Sequence, residues 1–352
     1  MANPESPSTP VAGADHAPVS VDLALQGGGA HGAFAWGVMD RLLQEPWLAV
    51  EAISGTSAGA MNAAVMSDGY AAGGPEGARV ALERFWRRVS EAALLSPLRR
   101  SPLDILMDQW TMDNSPAFVA MDLASRLFSP YDLSPTDFNP LRSVLAESID
   151  FARLAGSPVK VFVTATNVRT GRPRVFRNAE LTPDALLASA CLPMMFRAIE
   201  IDGEAYWDGG FSGNPTISPL VRESDAHDTI LIQINPVERP GTPRSARDIL
   251  NRENEIAFNA PLLKELRMIA LLRRVADAGD CEGARWAAMR LHRIASPAML
   301  DLGYSSKLNA EWAFFLMLRD EGRRCAETFL QQHGADLGQR GSFDLNYLLE
   351  EN

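Results

Sequence analysis

Lysine is nearly missing from this chain of 352 residues: Lys160, Lys264 and Lys307 are the only three. Lys and Arg together number 33 against 44 Asp and Glu, for a net charge of −11. That balance excludes a dedicated nucleic-acid binder, which needs a basic face. The preference for arginine over lysine reads as compositional bias and is given no function. Cysteine is scarce too. Cys191, Cys281 and Cys325 are odd in number and fit no metal-ligand spacing, so a disulfide framework is excluded and a reducing cytoplasm is the default. No apolar run reaches the length of about eighteen residues that a membrane span needs. Residues 1 to about 20 are rich in Pro, Ala and Ser, with neither a basic n-region nor an apolar h-region. This is the composition of a disordered tail rather than a Sec signal peptide, although a non-Sec route to export stays open. No internal repeat is visible. What remains is 46% hydrophobic and 22% charged, ordinary values for a globular chain long enough for one large α/β domain with an appendage, or for two domains.

Against this background Gly55-Thr56-Ser57-Ala58-Gly59 stands out as G-x-S-x-G. Val50 to Ile53 before it reads as a short strand, and Ala60 to Met66 after it as the start of a helix. Strand, sharp turn and helix make a nucleophile elbow. A serine hydroxyl attacks only when it is exposed, fixed and next to a base. The flanking glycines Gly55 and Gly59 let strand and helix approach where a Cβ would clash.

A second glycine motif lies upstream. Val21 to Leu25 reads as a strand, Gln26-Gly27-Gly28-Gly29-Ala30-His31-Gly32 as a loop, and Ala33 to Gln44 as a helix. G-x-G-x-x-G after a strand is also a dinucleotide fingerprint, but that reading requires an acid at the end of the next strand. Here that strand ends at Ile53 and runs into Ser54-Gly55. The P-loop reading fails because no Lys-Ser or Lys-Thr pair follows the glycines. What is left is a loop of bare N–H groups facing an anion at a helix N-terminus. One βα unit from a nucleophilic serine, that anion is most simply a tetrahedral oxyanion.

Farther along, Gly69 to Gly77 reads as a flexible loop. Arg79 to Ser90 reads as a helix with Leu82, Phe85, Trp86 and Val89 on its apolar side. Residues 94 to 141 hold six prolines among apolar residues such as Leu106, Trp110 and Phe128, which suits short helices forming a lid or an irregular connection. Val159 to Thr166 reads as a strand, Pro173 to Phe176 as its hairpin partner and Pro183 to Ala190 as a short helix. Arg197 to Ile201 and Glu204 to Trp207 make a hairpin around Asp202-Gly203 that ends in Asp208-Gly209-Gly210. Thr229 to Ile234 is a further strand. After Pro240 the apolar spacing predicts helices over 247–276, 282–293 and 309–332.

A base for Ser57 has to be found among few candidates, since the chain has only five histidines. His16 lies in the tail and His31 inside the glycine loop. His227 sits in a polar turn, while His292 and His333 fall on the expected helices. Asp208 is better placed. It closes a strand after Tyr206-Trp207 and precedes two glycines that allow a tight turn. The pair Ser57–Asp208 can therefore form a dyad. At a reference pKa of about 3.9 an aspartate is too weak a base, but burial raises it. The competing reading is that Asp208 only caps a turn.

Taken in order, Gly27-Gly28-Gly29-Ala30-His31-Gly32, Gly55-Thr56-Ser57-Ala58-Gly59 and Asp208-Gly209-Gly210 resemble the patatin-like phospholipase family. Ala188-Ser189-Ala190-Cys191-Leu192-Pro193 and Tyr206-Trp207 support the likeness, which spans about residues 21 to 235. The resemblance implies a three-layer α/β/α fold, a variant of the α/β-hydrolase type with a mostly parallel central sheet, followed by C-terminal helices. It divides the chain into a tail (1–20), a catalytic domain (21–240) and a helical extension (241–352). It implies a Ser–Asp dyad without histidine, an acyl-enzyme intermediate, acyl-ester hydrolysis on lipids, and no metal or cofactor. Carried over by motif, Ser57 is the nucleophile, Asp208 the base, and the N–H groups of Gly28, Gly29 and Ala30 the oxyanion hole. His31 departs from the pattern, where arginine or lysine is frequent.

The expected function is a serine acyl hydrolase of lipid esters, phospholipase A-like or lysophospholipase-like. The alternatives are an esterase or thioesterase for short or polymeric hydroxyacyl esters, and a non-catalytic lipid-binding scaffold, which the intact motifs disfavour. The expected partner is a lipid or acyl-ester substrate, with no nucleic acid. Leu262, Leu263, Leu266, Ile269, Leu272 and Val275 share a helical stripe that suits a peripheral membrane contact, which would make a cytoplasmic protein membrane-peripheral. Packing of that stripe on the core or in a homo-oligomer is the preferred reading, as it is for Trp312, Phe315, Leu316, Phe329 and Leu330. Met194, Met195 and Phe196 suit either an acyl pocket or ordinary core.

Overall fold

In the computed structural model, which describes residues 17–94, 96–133, 139–275 and 282–349, the chain folds around an eight-stranded sheet. The first part of the chain forms β1 (Val19–Leu25), α1 (Gly32–Leu42), β2 (Leu48–Thr56) and α2 (Ala58–Ala92). Five short helices follow: α3 (Pro102–Leu106), α4 (Pro116–Leu127), α5 (Pro130–Leu133), α6 (Pro140–Ser148) and α7 (Phe151–Ala155). The middle of the chain holds β3 (Lys160–Asn167), β4 (Pro173–Arg177), α8 (Pro183–Ser189), β5 (Ile199–Ile201), β6 (Glu204–Asp208) and α9 (Ser218–Glu223). The last part holds β7 (Asp228–Ile232), α10 (Ala246–Val275), α11 (Glu282–Ala288), β8 (Arg290–Ile294) and α12 (Trp312–His333).

The strand order is β5-β6-β3-β2-β1-β7-β8, with β4 also on β3. The run β3-β2-β1-β7-β8 is parallel, and β4, β5 and β6 add antiparallel pairs at one side. Parallel strands covered on both faces are rich in apolar and β-branched residues, which is why β1 and β3 are legible in the sequence despite Asp22 in β1. Alternate residues serve two cores. Leu23, Leu25, Ile53, Val163 and Ile232 pack with α1, the first half of α2, α8 and α12. Ala24, Ala52, Phe162 and Leu231 pack with α9 and α10 on the other face. This is the three-layer α/β/α arrangement with a mostly parallel sheet.

The proline-rich stretch resolves into short helices because prolines occupy their first turns, where a missing N–H costs nothing. Leu103, Ile105, Leu106 and Met107 of this stretch are exposed. Its contacts with the C-terminal part are specific: the ring of Trp110 stacks on Phe314 of α12 and under Arg100.

Several expectations need correction. Gly69 to Gly77 is helical, apart from a break at Gly73 and Gly74. Two arms of α2 meet there, and the glycines that suggest a loop instead let the arms pack closely, with a Cβ on Gly69 falling on Ala81 and Gly77. The helix expected over 282–293 ends at Ala288, and the chain then forms β8, which pairs with β7. His292 is therefore on a strand and fully buried, bonded to Asp228 at 3.0 Å and to Ser342 at 2.9 Å. The segment beyond residue 240 is thus not purely helical. Val19 and Ser20 belong to β1, not to a tail, while residues 1–16, with His16, and Cys281 lie outside the described residues. In α10, Leu262, Leu266 and Ile269 are buried in the second core, whereas Leu271 and Val275 are exposed. Phe315 and Phe329 are buried in the first core. No helix among the described residues is long and apolar enough to cross a membrane.

Candidate active site

The parallel strands end together on one edge of the sheet, where loops after adjacent strands converge. Leu25 pairs with Gly55, Gly55 with Val163, and Ala165 with Asp208, so the glycine loop, the elbow and the Asp-Gly-Gly turn emerge side by side.

Ser57 sits between β2 and α2 with φ 55° and ψ −122°. Positive φ in a residue with a Cβ is strained by about 1–3 kcal/mol, and it persists only where neighbours enforce it. Here they do. The Ser57 N–H donates to Ser189 Oγ at 2.9 Å, and Ser189 Oγ donates to the Thr164 carbonyl at 2.6 Å. Thr56 Oγ1 donates to the Gly213 carbonyl at 2.7 Å. A Cβ on Gly59 would fall on the carbonyl oxygens of Leu25 and Gln26, so only glycine lets α2 start this close to β1. The hydroxyl is thereby lifted off the sheet at a helix N-terminus, where developing negative charge is favoured.

Asp208 is 1% exposed, at the end of β6. Its N–H donates to the Cys191 carbonyl at 2.8 Å and its carbonyl accepts from Thr166 Oγ1 at 2.8 Å. Its Oδ1 accepts the Gly210 N–H at 2.7 Å, and the Ser57 side chain lies near enough to its carboxylate to favour the charged form. Burial pushes its pKa up to about 7, against the opposing pull of Gly210, Ser57 and the positive charge of Lys307. A carboxylate with a pKa near neutrality is matched to general-base work at neutral pH. Asp208 closes a turn through Gly210, and it lines the same cavity as Ser57.

The glycine loop is held from behind. The Gly27 N–H donates to Asn214 Oδ1 at 2.7 Å, which removes it from any oxyanion hole. Asn235 Nδ2 donates to the Gly27 carbonyl at 2.8 Å, and Gln26 Oε1 accepts from the N–H groups of Ile234 and Asn235, each at 2.9 Å. Gly29 has φ +57°, and a Cβ there would fall on the Lys307 carbonyl oxygen. The N–H groups of Gly28, Gly29 and Ala30 have no acceptor among the described residues. All three residues line the same cavity as Ser57 and Asp208.

That cavity has a volume of about 270 Å³. Met61, Phe85, Trp86, Leu192, Met195 and Phe196 line it, so two of the three residues proposed for an acyl pocket face it, while Met194 is exposed. Of the motif glycines, Gly28 and Gly29 line the cavity; Gly27, Gly32, Gly55, Gly59, Gly209 and Gly210 build its frame, and the ring of Phe258 covers Gly210. His31 is buried, with Nε2 at 2.8 Å from Ser306 Oγ, and burial with the nearby Lys307 charge holds its pKa well below the usual value, so the ring is neutral.

Sequence reasoning misses four residues of this site. Ser189, Asn214 and Asn235 brace the elbow and the glycine loop. Lys307 lines the cavity itself, with Nζ donating to Asn235 Oδ1 at 2.8 Å. Its only signal in the sequence is rarity, which reads there as compositional bias.

A family model described as Patatin-like phospholipase matches residues 23–221. The chain is similar to the solved structure of VipD from Legionella pneumophila at 14% identity, over 90% of this chain and 67% of that one, with a TM-score of 0.39. No curated protein matches it.

Proposed function

Since the chain belongs to the patatin-like phospholipase family, a family of lipid acyl hydrolases, we propose that it hydrolyses lipid esters through a Ser57–Asp208 dyad and an acyl-enzyme. The observation that carries this reading is the buried Asp208, its pKa near 7, beside a serine on a strained elbow and three loop N–H groups with no acceptor among the described residues. Asp208 takes the proton of Ser57 as its Oγ attacks the ester carbonyl. The carbonyl oxygen becomes an oxyanion, which the N–H groups of Gly28, Gly29 and Ala30 receive. The tetrahedral adduct collapses, the C–O bond to the alcohol breaks, and the proton on Asp208 passes to the leaving alkoxide. Water then loses a proton to Asp208 and attacks the acyl-enzyme. A second collapse frees the fatty acid and returns the proton to Ser57. The apolar lining from α2 and residues 192–196 suits an acyl chain.

The test is rapid mixing with p-nitrophenyl laurate, followed by intact mass. A lauroyl adduct on Ser57 that decays with turnover supports the reading. Turnover that survives in a folded Ser57→Ala protein overturns it. A profile that peaks on acetyl or hydroxybutyryl esters instead of long acyl chains would favour the short-ester or polymer esterase.

A further inference from the structure

Lys307 reaches the cavity from well outside the residues matched by the family model, 23–221. It lies on a 3-10 turn, Tyr304–Leu308, that the rest of the molecule holds in place. The Tyr304 N–H donates to Asn251 Oδ1 at 2.9 Å, and Ser305 Oγ accepts the Met112 N–H at 3.1 Å. Ser306 Oγ donates to the Gly303 carbonyl at 2.7 Å and meets His31. Asn309 Nδ2 donates to the Trp110 carbonyl at 3.0 Å. The Lys307 backbone packs directly on Gly29. The side chain therefore starts from a fixed point beside the glycine loop.

Among the described residues, Asp208 and Lys307 are the two charged ones that line the cavity. An ammonium has three N–H donors. That of Lys307 makes one hydrogen bond, to Asn235, and no ion pair among the described residues. The carboxylates whose charge it feels are Glu255 and Asp208. Glu255 is occupied by Arg239 at 2.8 Å and by Arg252 at 3.3 Å, and Asp208 accepts from the Gly210 N–H. Arg239, the other cation nearby, also donates to the Leu300 carbonyl and is used up. A cation withdrawn from water without an anionic partner is costly, and an anion brought by a ligand removes that cost. His31 is neutral, and Lys307, whose pKa burial lowers to about 8, is the cation next to the oxyanion loop at neutral pH. Asn254 and Tyr304 line the cavity with it and share a second, smaller pocket with it, while the lining from α2 and 192–196 is apolar.

We propose that Lys307 forms an anion subsite in this cavity, which selects acyl esters carrying a negative charge, a phosphate or a carboxylate, on the alcohol side of the scissile bond. The subsite rests on the hydrolase reading for its consequence in turnover but not for its binding chemistry. The ammonium donates its free N–H groups to the anion, the ester carbonyl faces the glycine loop, and the acyl chain fills the apolar lining.

The experiment compares kcat/KM on 1-lauroylglycerol 3-phosphate and 1-lauroylglycerol, which differ by one phosphate, for wild type, Lys307→Met and Lys307→Arg. A charge-assisted contact predicts that Lys307→Met loses about 10- to 100-fold on the phosphate ester and less than about threefold on the neutral one. Lys307→Arg should recover most of that loss. An equal loss on both esters would mean that Lys307 serves the dyad or the fold, and would overturn the proposal. So would a wild type indifferent to the phosphate. Lauroyl glycerate separates the sources of charge: a parallel response shows a subsite that reads charge, and a response confined to phosphate shows one that reads phosphate. If wild type hydrolyses neither ester, the hydrolase reading is what fails. The subsite is then decided by calorimetry with dodecyl phosphate, where binding to wild type at least about tenfold tighter than to Lys307→Met supports it and equal binding overturns it.

Discussion

The glycine loop with its elbow, and the turn Tyr304–Leu308, reach one cavity from opposite ends of the chain. They differ in what they ask of the backbone. The loop and elbow need positive φ at Gly29 and Ser57 and a helix start with no room for a Cβ at Gly59. Such demands can be met by few residue types, and they leave a signature of glycines around a serine. The turn at Lys307 asks only for a side chain of the right length and charge on an ordinary backbone, fixed by scattered serines and asparagines. Backbone-driven chemistry writes a motif. Side-chain-driven chemistry from a distant segment does not.

The largest effect should fall on the motif side. Ser57→Ala should lower ester turnover by at least about a thousandfold while far-UV circular dichroism is retained. Gly29→Ala should lower kcat/KM by about a hundredfold, since a Cβ against the Lys307 carbonyl displaces the loop N–H groups and about that much is lost with one oxyanion donor. Gly241→Ala is its control. Gly241 has φ +75°, with nothing within 4 Å of an added Cβ, so it shares the backbone strain and should keep full activity.

The same contrast separates buried from exposed positions of α10. Leu266→Ala should destabilise the protein by about 2–4 kcal/mol in chemical denaturation, because it opens a cavity in the second core. Leu271→Ala, on the exposed side, should change stability by less than about 0.5 kcal/mol. Similar losses at both positions would mean that the exposed side is covered in solution, as it would be in a homo-oligomer.

Legibility in the sequence follows the same division. β1, β2 and β3 are readable because strands buried on both faces are mainly apolar, even with Asp22 in β1 and Glu51 in β2. Asp208 stands out as a candidate because it closes a strand ahead of two glycines, a pattern that a simple turn cap shares. β8 is not readable, because Arg290-Leu291-His292-Arg293-Ile294 mixes charge into a short strand, and its polar members are satisfied only by distant groups. Asp228 accepts from both Arg290 and His292, a partnership invisible along the chain. Gly69 to Gly77 misleads because glycine marks close helix packing as well as loops. Lys307 escapes notice because a lone cation has no pattern until the fold places it beside Gly29.

A further predicted effect is on stability and has a definite sign. The folded-state pKa of Asp208, about 7, lies above its ordinary value of 3.8, so folded protein holds this proton where unfolded chain has lost it. Its contribution to stability is full below the unfolded pKa and falls as pH rises through the folded one. Asp208→Asn should therefore be more stable than wild type at pH 8, by about 1 kcal/mol or more, and should lose that advantage at pH 4. Thermal unfolding at the two pH values checks it.

The central claim, that Asp208 activates Ser57, is tested most directly by the rate at which a fluorophosphonate labels Ser57 as a function of pH, in wild type and in Asp208→Asn. The account predicts that labelling of wild type rises with pH through a midpoint near 7, as the buried carboxyl ionises, and that Asp208→Asn labels at least about a hundredfold more slowly at pH 8. A flat profile, or wild-type labelling in a folded Asp208→Asn protein, would contradict it.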